Sequence, residues 1–287
     1  MRKAYVKNNQ AALYGIMLRE VFIMYIIISV SIIVSAYMIY NQMENMSRIY
    51  SCALDGIVVW CTSSMLNLGL LPVIISVFLH MHYDIYMRNV CVIKQKSRTG
   101  MWFNEQKLSL IICSVAFTWS MILSFVLAYI MNKGNIYANV SDDLFFTNTY
   151  YGIMLSQCTD IQAGQETLIP AINIVWVIIR VWLINMLQLY MVVMEADVIY
   201  WLSGKRLFST IILSAMCMIT AIFPKSRRYA YVLGIKVKAY SYYLEALNIN
   251  VWLKHIFIML VIILLTNVVM SFVVKNKDAR VKRSNPT

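Results

Sequence analysis

Hydrophobic positions along this chain come in long unbroken runs rather than in alternation. Runs such as VIILLTNVVM are apolar at every phase, whereas a transmembrane β-barrel needs alternating segments of roughly 10 residues. Six stretches approach the roughly 20 residues with which a helix crosses about 30 Å of hydrocarbon. They cover about residues 17–40, 57–80, 108–131, 170–194, 207–223 and 252–274. The pattern predicts an all-α, polytopic membrane protein with six transmembrane helices, forming one domain over residues 1–287. Ahead of the first span, Ala4, Tyr5, Ala11, Ala12 and Tyr14 interleave with Lys and Asn, which predicts a short interfacial helix. No small-residue cleavage site follows, so the first apolar run is expected to be retained.

Composition agrees with this reading. The 287 residues are 61% hydrophobic and 13% charged, where soluble domains run roughly 45–50% apolar and about 25% charged. Mean hydropathy is +0.67. Six spans leave short connections and no room for a sizeable soluble domain.

The 25 Lys and Arg against 13 Asp and Glu give a net charge of +12. In a membrane protein such an excess marks cytoplasmic loops and anionic headgroups, so lipid rather than nucleic acid is the expected partner. Arg2, Lys3, Lys7 and Arg19 precede or open the first span; Arg88, Lys94, Lys96, Arg98 and Lys107 fill the second connection; Lys205 and Arg206 fill the fourth. Lys275, Lys277, Arg280, Lys282 and Arg283 follow the last span. These positions put both termini in the cytoplasm of a multi-pass plasma-membrane protein. The basic content of the first and third connections is Arg48 and Lys133, the latter beside Asp142, Asp143, Asp160 and Glu166, as exported loops require. The fifth connection breaks the rule with Lys225, Arg227, Arg228, Lys236 and Lys238 on the outer side. An amphipathic outer segment anchored by Tyr229, Tyr231, Tyr240, Tyr242 and Tyr243 is one explanation, and a misplaced span is the other.

Enzyme signatures are absent: there is no H-E-x-x-H, no G-x-S-x-G and no P-loop. The chain is therefore expected not to be an enzyme by itself. His80, His82 and Asp84 offer metal-ligating groups at the end of the second span. However, residues i and i+2 of a helix point to different sides, and a headgroup position for the histidines is the expected reading, with no metal. The cysteines include no C-x-x-C; Cys61, Cys113 and Cys217 lie in apolar spans, and Cys52 and Cys158 are expected to be free thiols on the outer side. Arg180 falls near the middle of the fourth predicted span, where a charge costs at least a few kcal/mol. At 100° per residue, Asn173, Arg180 and Gln188 share a stripe about 80° wide, a candidate path lining or anion contact. The alternative role for Arg180 is to satisfy carbonyls of neighbouring helices. None of the 13 carboxylates falls at comparable depth in another predicted span.

The second connection is strongly patterned. Asp84 to Ile93 has helix-forming character, Ser97 to Gly100 reads as a polar break, and Trp102, Phe103 and Lys107 read as an interfacial elbow. Asp84, Lys94, Ser97, Arg98, Trp102 and Lys107 resemble the acidic helix start and the R-x-x-S-R-x-x-W-x-x-x-K stretch of a sub-group of ABC-2 type exporter permeases. Lys94 replaces the first arginine, and the spacing is slightly altered. The resemblance covers the whole chain in layout, including the N-terminal interfacial helix, and about 30 residues in motif.

This resemblance implies a permease subunit powered by a separate cytosolic ABC ATPase, which would hold the ATP and Mg; this chain itself carries no cofactor. It implies a second permease, identical or homologous, and a coupling helix in the second connection with Asp84, Tyr86, Arg88, Lys94 and Arg98 facing the ATPase. It also implies short outer helices in the fifth connection. The long third connection, residues 132–169, departs from that pattern. The competing expectation is a non-transporting membrane protein, such as an immunity protein, a sensor or an assembly factor.

Overall fold

The computed structural model describes residues 19, 21–34, 37, 53, 70–88, 98–131, 174–222, 229–232, 235–238 and 249–284. Among them are six helices: α1 (Val21–Val34), α2 (Leu71–Arg88), α3 (Arg98–Met131), α4 (Ile174–Ser203), α5 (Arg206–Ile222) and α6 (Ile249–Ser284). Each predicted span overlaps one of them. Three helical stretches are long and apolar enough to cross a membrane: Arg98–Met131, Ile178–Ser203 and Trp252–Lys275. The predicted N-terminal interfacial helix, residues 1–18, lies outside the described residues, as do Cys52, Cys158 and the long third connection.

Burial identifies the centre. Of the most apolar window of each spanning helix, 72% is buried in α4, against 33% in α3 and 22% in α6. Ile184, Met191, Val193 and Met194 of α4 form the core with Ile28 of α1, Ile75 and Leu79 of α2, Phe117 of α3 and Met259 of α6. The outward faces are equally apolar: Phe22, Phe257, Leu264 and Phe272 are each more than 60% exposed. Water would not tolerate such a continuous surface, whereas acyl chains match it. Several serines and threonines of these helices are satisfied by their own helix, as lipid requires. Ser114 Oγ donates to Leu110 O at 2.8 Å and Thr118 Oγ1 to Ser114 O at 2.7 Å. Two of these hydroxyls also accept across helices, Ser29 Oγ from Trp119 Nε1 and Thr118 Oγ1 from Trp182 Nε1, each at 2.9 Å.

Cross-helix contacts fix the relative directions. Trp102 meets Trp201 edge-on while Thr118 meets Trp182, so α3 and α4 are antiparallel. Trp252 meets Arg180 while Met270 and Val274 pack on Val198, so α6 runs parallel to α4. The end of α2 meets the end of α4 through His80 and Tyr200. One end of the bundle therefore collects the end of α2, the start of α3, the α4–α5 junction and the end of α6. These segments carry Arg88, Arg98, Lys205, Arg206, Lys275, Lys277, Arg280, Lys282 and Arg283, and this is the basic end.

The α4–α5 junction is a tight reversal. Gly204 has φ of 68° and donates its N–H to Tyr200 O at 2.8 Å, the left-handed closure that lets α4 stop and α5 start within two residues. Ser209 Oγ then donates to Ala196 O at 2.6 Å, stitching the first turn of α5 to α4.

Several expectations need correction. α2 runs unbroken to Arg88, so Asp84 lies near its C-terminal end and opens no separate coupling helix. α3 starts at Arg98, so residues 98–100 are helical rather than a polar break. Trp102, expected at the interface, is fully buried. The physical reason is shared: His80, Tyr83 and Trp102 find buried partners, and these contacts carry both helices beyond their most apolar segments. Between α5 and α6, where the resemblance implied short helices, lies an antiparallel ribbon. It consists of β1 (Tyr229–Val232) and β2 (Ile235–Lys238), with Tyr229 opposite Lys238 and Val232 opposite Ile235.

Candidate functional site

Near the basic end, three helices bring polar residues together inside the bundle. On α3, Trp102, Glu105, Gln106, Ser109 and Cys113 recur at i, i+3, i+4, i+7 and i+11, which places them on one helical face. All five are buried, with Glu105 5% exposed. On α4, Tyr190, Asp197 and Trp201 occupy the facing stripe, and on α2, Ser76, His80 and Tyr83 complete it.

Asp197 is the hub. It is completely buried, and three donors converge on its carboxylate. His80 Nε2 lies 3.2 Å from Oδ1, Gln106 Nε2 3.1 Å from Oδ2, and Ser109 Oγ 2.9 Å from Oδ2. Since Ser109 gives its proton to Asp197, the hydroxyl of Tyr83 must be the donor in its 2.8 Å contact with Ser109 Oγ; the same proton is shared with Glu105 O at 3.1 Å. Tyr190 OH donates to Gln106 Oε1 at 3.0 Å, which orients the amide so that its NH₂ faces Asp197. The His80 ring stacks on Tyr200, with centroids 4.6 Å apart.

A second layer lies beside the first. Trp201 Nε1 donates to Glu105 Oε2. Trp102 Nε1 donates to Asn267 Oδ1 at 2.9 Å, and Asn267 Nδ2 donates to Ile263 O at 2.9 Å. Through Asn267, α6 joins the same end of the bundle. Hydrogen bonds between membrane helices are worth only about 0.6–2 kcal/mol each. Removing one partner of a buried charge pair costs more, about 3–5 kcal/mol, because the other is stranded.

Mechanically, both arms of the connection between α2 and α3 are tied to α4. His80 and Tyr83 lie within about two and a half turns of the described end of α2, and Glu105 lies about two turns after the start of α3. The described ends of α2 and α3 are thus both joined to the central helix, through Asp197 and Trp201.

The sequence places no carboxylate at the depth of Arg180 in another predicted span; nearer the basic end, Glu105, Glu195 and Asp197 are all at most 5% exposed. The hub also moves His80 from the headgroup layer to the interior. Among the described residues no group of three or more His, Cys, Asp and Glu is placed to hold a metal ion.

Of the residues singled out for ATPase coupling, Asp84, Tyr86 and Arg88 occupy the last turns of α2 and Arg98 opens α3, while Lys94 lies outside the described residues. Of the suggested polar stripe, Asn173 also lies outside them. Gln188 is buried in the core, and Arg180 is half-buried about 12 Å away along α4, eight residues at ~1.5 Å each. α4 is described from Ile174, so Arg180 lies nearly two turns into it, with apolar residues on both sides in sequence. There its guanidinium lies 6.0 Å from the centroid of the Trp252 ring, and Trp252 Nε1 donates to Arg180 O at 3.0 Å. Comparison with family models, with curated proteins and with solved structures finds no match to this chain.

Proposed function

We propose that this chain is the membrane subunit of an ATP-driven exporter, with six spans and both termini in the cytoplasm. A separate ATP-binding subunit would power it, and a second permease copy or related chain would complete the path. The observation that carries the proposal is the double tie of the α2–α3 connection to α4, through Asp197 to His80, Gln106 and Ser109, and through Trp201 to Glu105. A basic, cytoplasm-facing connection that is rigidly joined to the most buried helix is what a mechanical input requires. Work applied outside the bilayer then reaches the helix that α2, α3, α5 and α6 all pack against.

In this reading, docking at residues 84–98 tilts α2, α3 and α4 as one body, and access changes along α4. Arg180 and Gln188 face that change from the outer and central parts of the same helix. The experiment that tests the reading is purification of the tagged chain from its native membrane in mild detergent. Recovery of a stoichiometric chain that binds ATP supports an exporter subunit. A chain that is consistently isolated without one, and whose loss alters no export, belongs to the non-transporting class instead.

A further inference from the structure

Among the described residues, the network around the α3–α4 joint leaves Ser76 Oγ, Glu105 Oε1 and His80 Nδ1 buried without a hydrogen-bond partner. A carboxylate offers about four acceptor sites, and a buried one costs several kcal/mol unless its charge is answered. Asp197 has three donors. Among the described residues Glu105 has one donor, the indole of Trp201, while Gln106 and Ser109 on the same face of α3 both donate to Asp197. Like charges in a low-dielectric interior raise each other's energy, and the carboxyl group with the fewer donors is the one that keeps a proton.

The described residues around it offer little to change that balance. Facing α3, α2 brings His80 and Tyr83, with the His80 Nε2 contact already spent on Asp197. α4 brings Tyr190 and Asp197, with Glu195 buried on the same helix. α6 brings the neutral Asn267 and, exposed, Lys275. On α3 itself, Cys113 is buried, whereas Arg98 and Lys107 are exposed.

We propose that Glu105 is a proton-binding site: its carboxyl group is neutral in the tied arrangement, and loss of that proton to water at the basic end leaves two carboxylates facing each other across the α3–α4 interface. The repulsion then loosens the tie between the α2–α3 connection and the central helix. The site deepens the mechanical reading above, but it does not need an ATPase in order to exist.

The test uses the full chain in lipid nanodiscs, followed by infrared difference spectroscopy across a pH titration. The wild type is expected to show the carbonyl band of a buried carboxylic acid, which disappears as pH rises. Glu105→Gln should remove the band, and Trp201→Phe, which deletes the hydrogen bond to Oε2, should displace it. In parallel, amide exchange in residues 98–109 and 195–203, corrected for its intrinsic pH dependence, should rise in the wild type as the band disappears and stay low in Glu105→Gln. A band that survives Glu105→Gln, or that Asp197→Asn removes instead, overturns the assignment. If Glu105→Gln does not fold, an undisplaced band in Trp201→Phe overturns it equally. Exchange that rises identically in wild type and Glu105→Gln would overturn the loosening step.

Discussion

His80 Nε2 and Asp197 Oδ1 lie 3.2 Å apart although they are 117 residues apart in sequence, and neither side chain is exposed at all. This one contact fixes the end of α2 against the end of α4, and the rest of the network is assembled around it.

The pair should therefore behave as a unit. Asp197→Ala and His80→Ala are each expected to destabilise the protein by about 3–5 kcal/mol, since each leaves a buried polar partner stranded. The double variant should cost less than the sum, with a coupling of about 0.5–3 kcal/mol. Equilibrium unfolding in mixed micelles measures this. Strict additivity would mean that the two side chains do not support each other.

Trp102 offers a separate handle on α6. Trp102→Phe retains most of the buried ring and loses the donor to Asn267, so the expected cost is about 1 kcal/mol. Trp102→Ala should cost about 3–5 kcal/mol, because it also opens a cavity beside Val198, Met270 and Val274. Thermal melting of the three proteins in the same detergent provides the comparison. Equal losses in both variants would refute the separation of donor from volume.

How much of this was legible in the sequence depends on which force placed each residue. The apolar runs announced the helices because lipid demands continuous hydrophobicity, and each predicted span overlaps a helix of the structure. The polar network was hidden by the same criterion. Glu105 and Lys107 interrupt the apolar run that became α3, and Glu195 and Asp197 interrupt that of α4, so the predicted spans stopped at 108 and 194. A carboxylate at the edge of an apolar run looks like the start of a loop unless its partner is known, and His80 is remote in sequence. One signal was available: Trp102, Glu105, Gln106, Ser109 and Cys113 keep helical spacing across the predicted boundary. Asp84 misled in the opposite direction, because an acidic residue favours a helix start, yet the buried contacts of His80 and Tyr83 carry α2 through it.

Gly204 is required for its backbone rather than its size. A Cβ there would meet nothing within 4 Å, but φ of 68° is left-handed. Gly204→Ala is therefore expected to cost about 1–2 kcal/mol, while Gly204→Asn should cost less, because asparagine tolerates that region. Stability measurements on both variants check this order. A reversed order would point to a space constraint that the structure does not contain.

In the first part of α4, Arg180→Gln loses the guanidinium over Trp252 and keeps the backbone acceptor for the indole. The stability cost should be about 0.5–1 kcal/mol. Under the exporter reading, transport should fall more than this loss of stability explains, and Arg180→Lys should recover part of it. Activity and thermal melting at matched membrane expression separate the two effects. Full transport in Arg180→Gln would leave the residue with a packing role only.

The proposed sidedness puts the basic end in the cytoplasm. A cysteine introduced at Ser97 should resist a membrane-impermeant thiol reagent in intact cells and react in inverted vesicles, and one at Asp142 should do the reverse. Labelling of position 97 from outside would invert the topology.

The most direct measurement is a photo-crosslinking amino acid placed at Lys94, between α2 and α3, in the protein's native cells. If this connection receives force from an ATP-driven subunit, irradiation should join the chain to a protein that binds ATP, and Asp197→Asn should leave that adduct in place while export falls. An adduct formed only with lipid or with a second copy of this chain, or the absence of any nucleotide-binding adduct at full expression, would contradict the account.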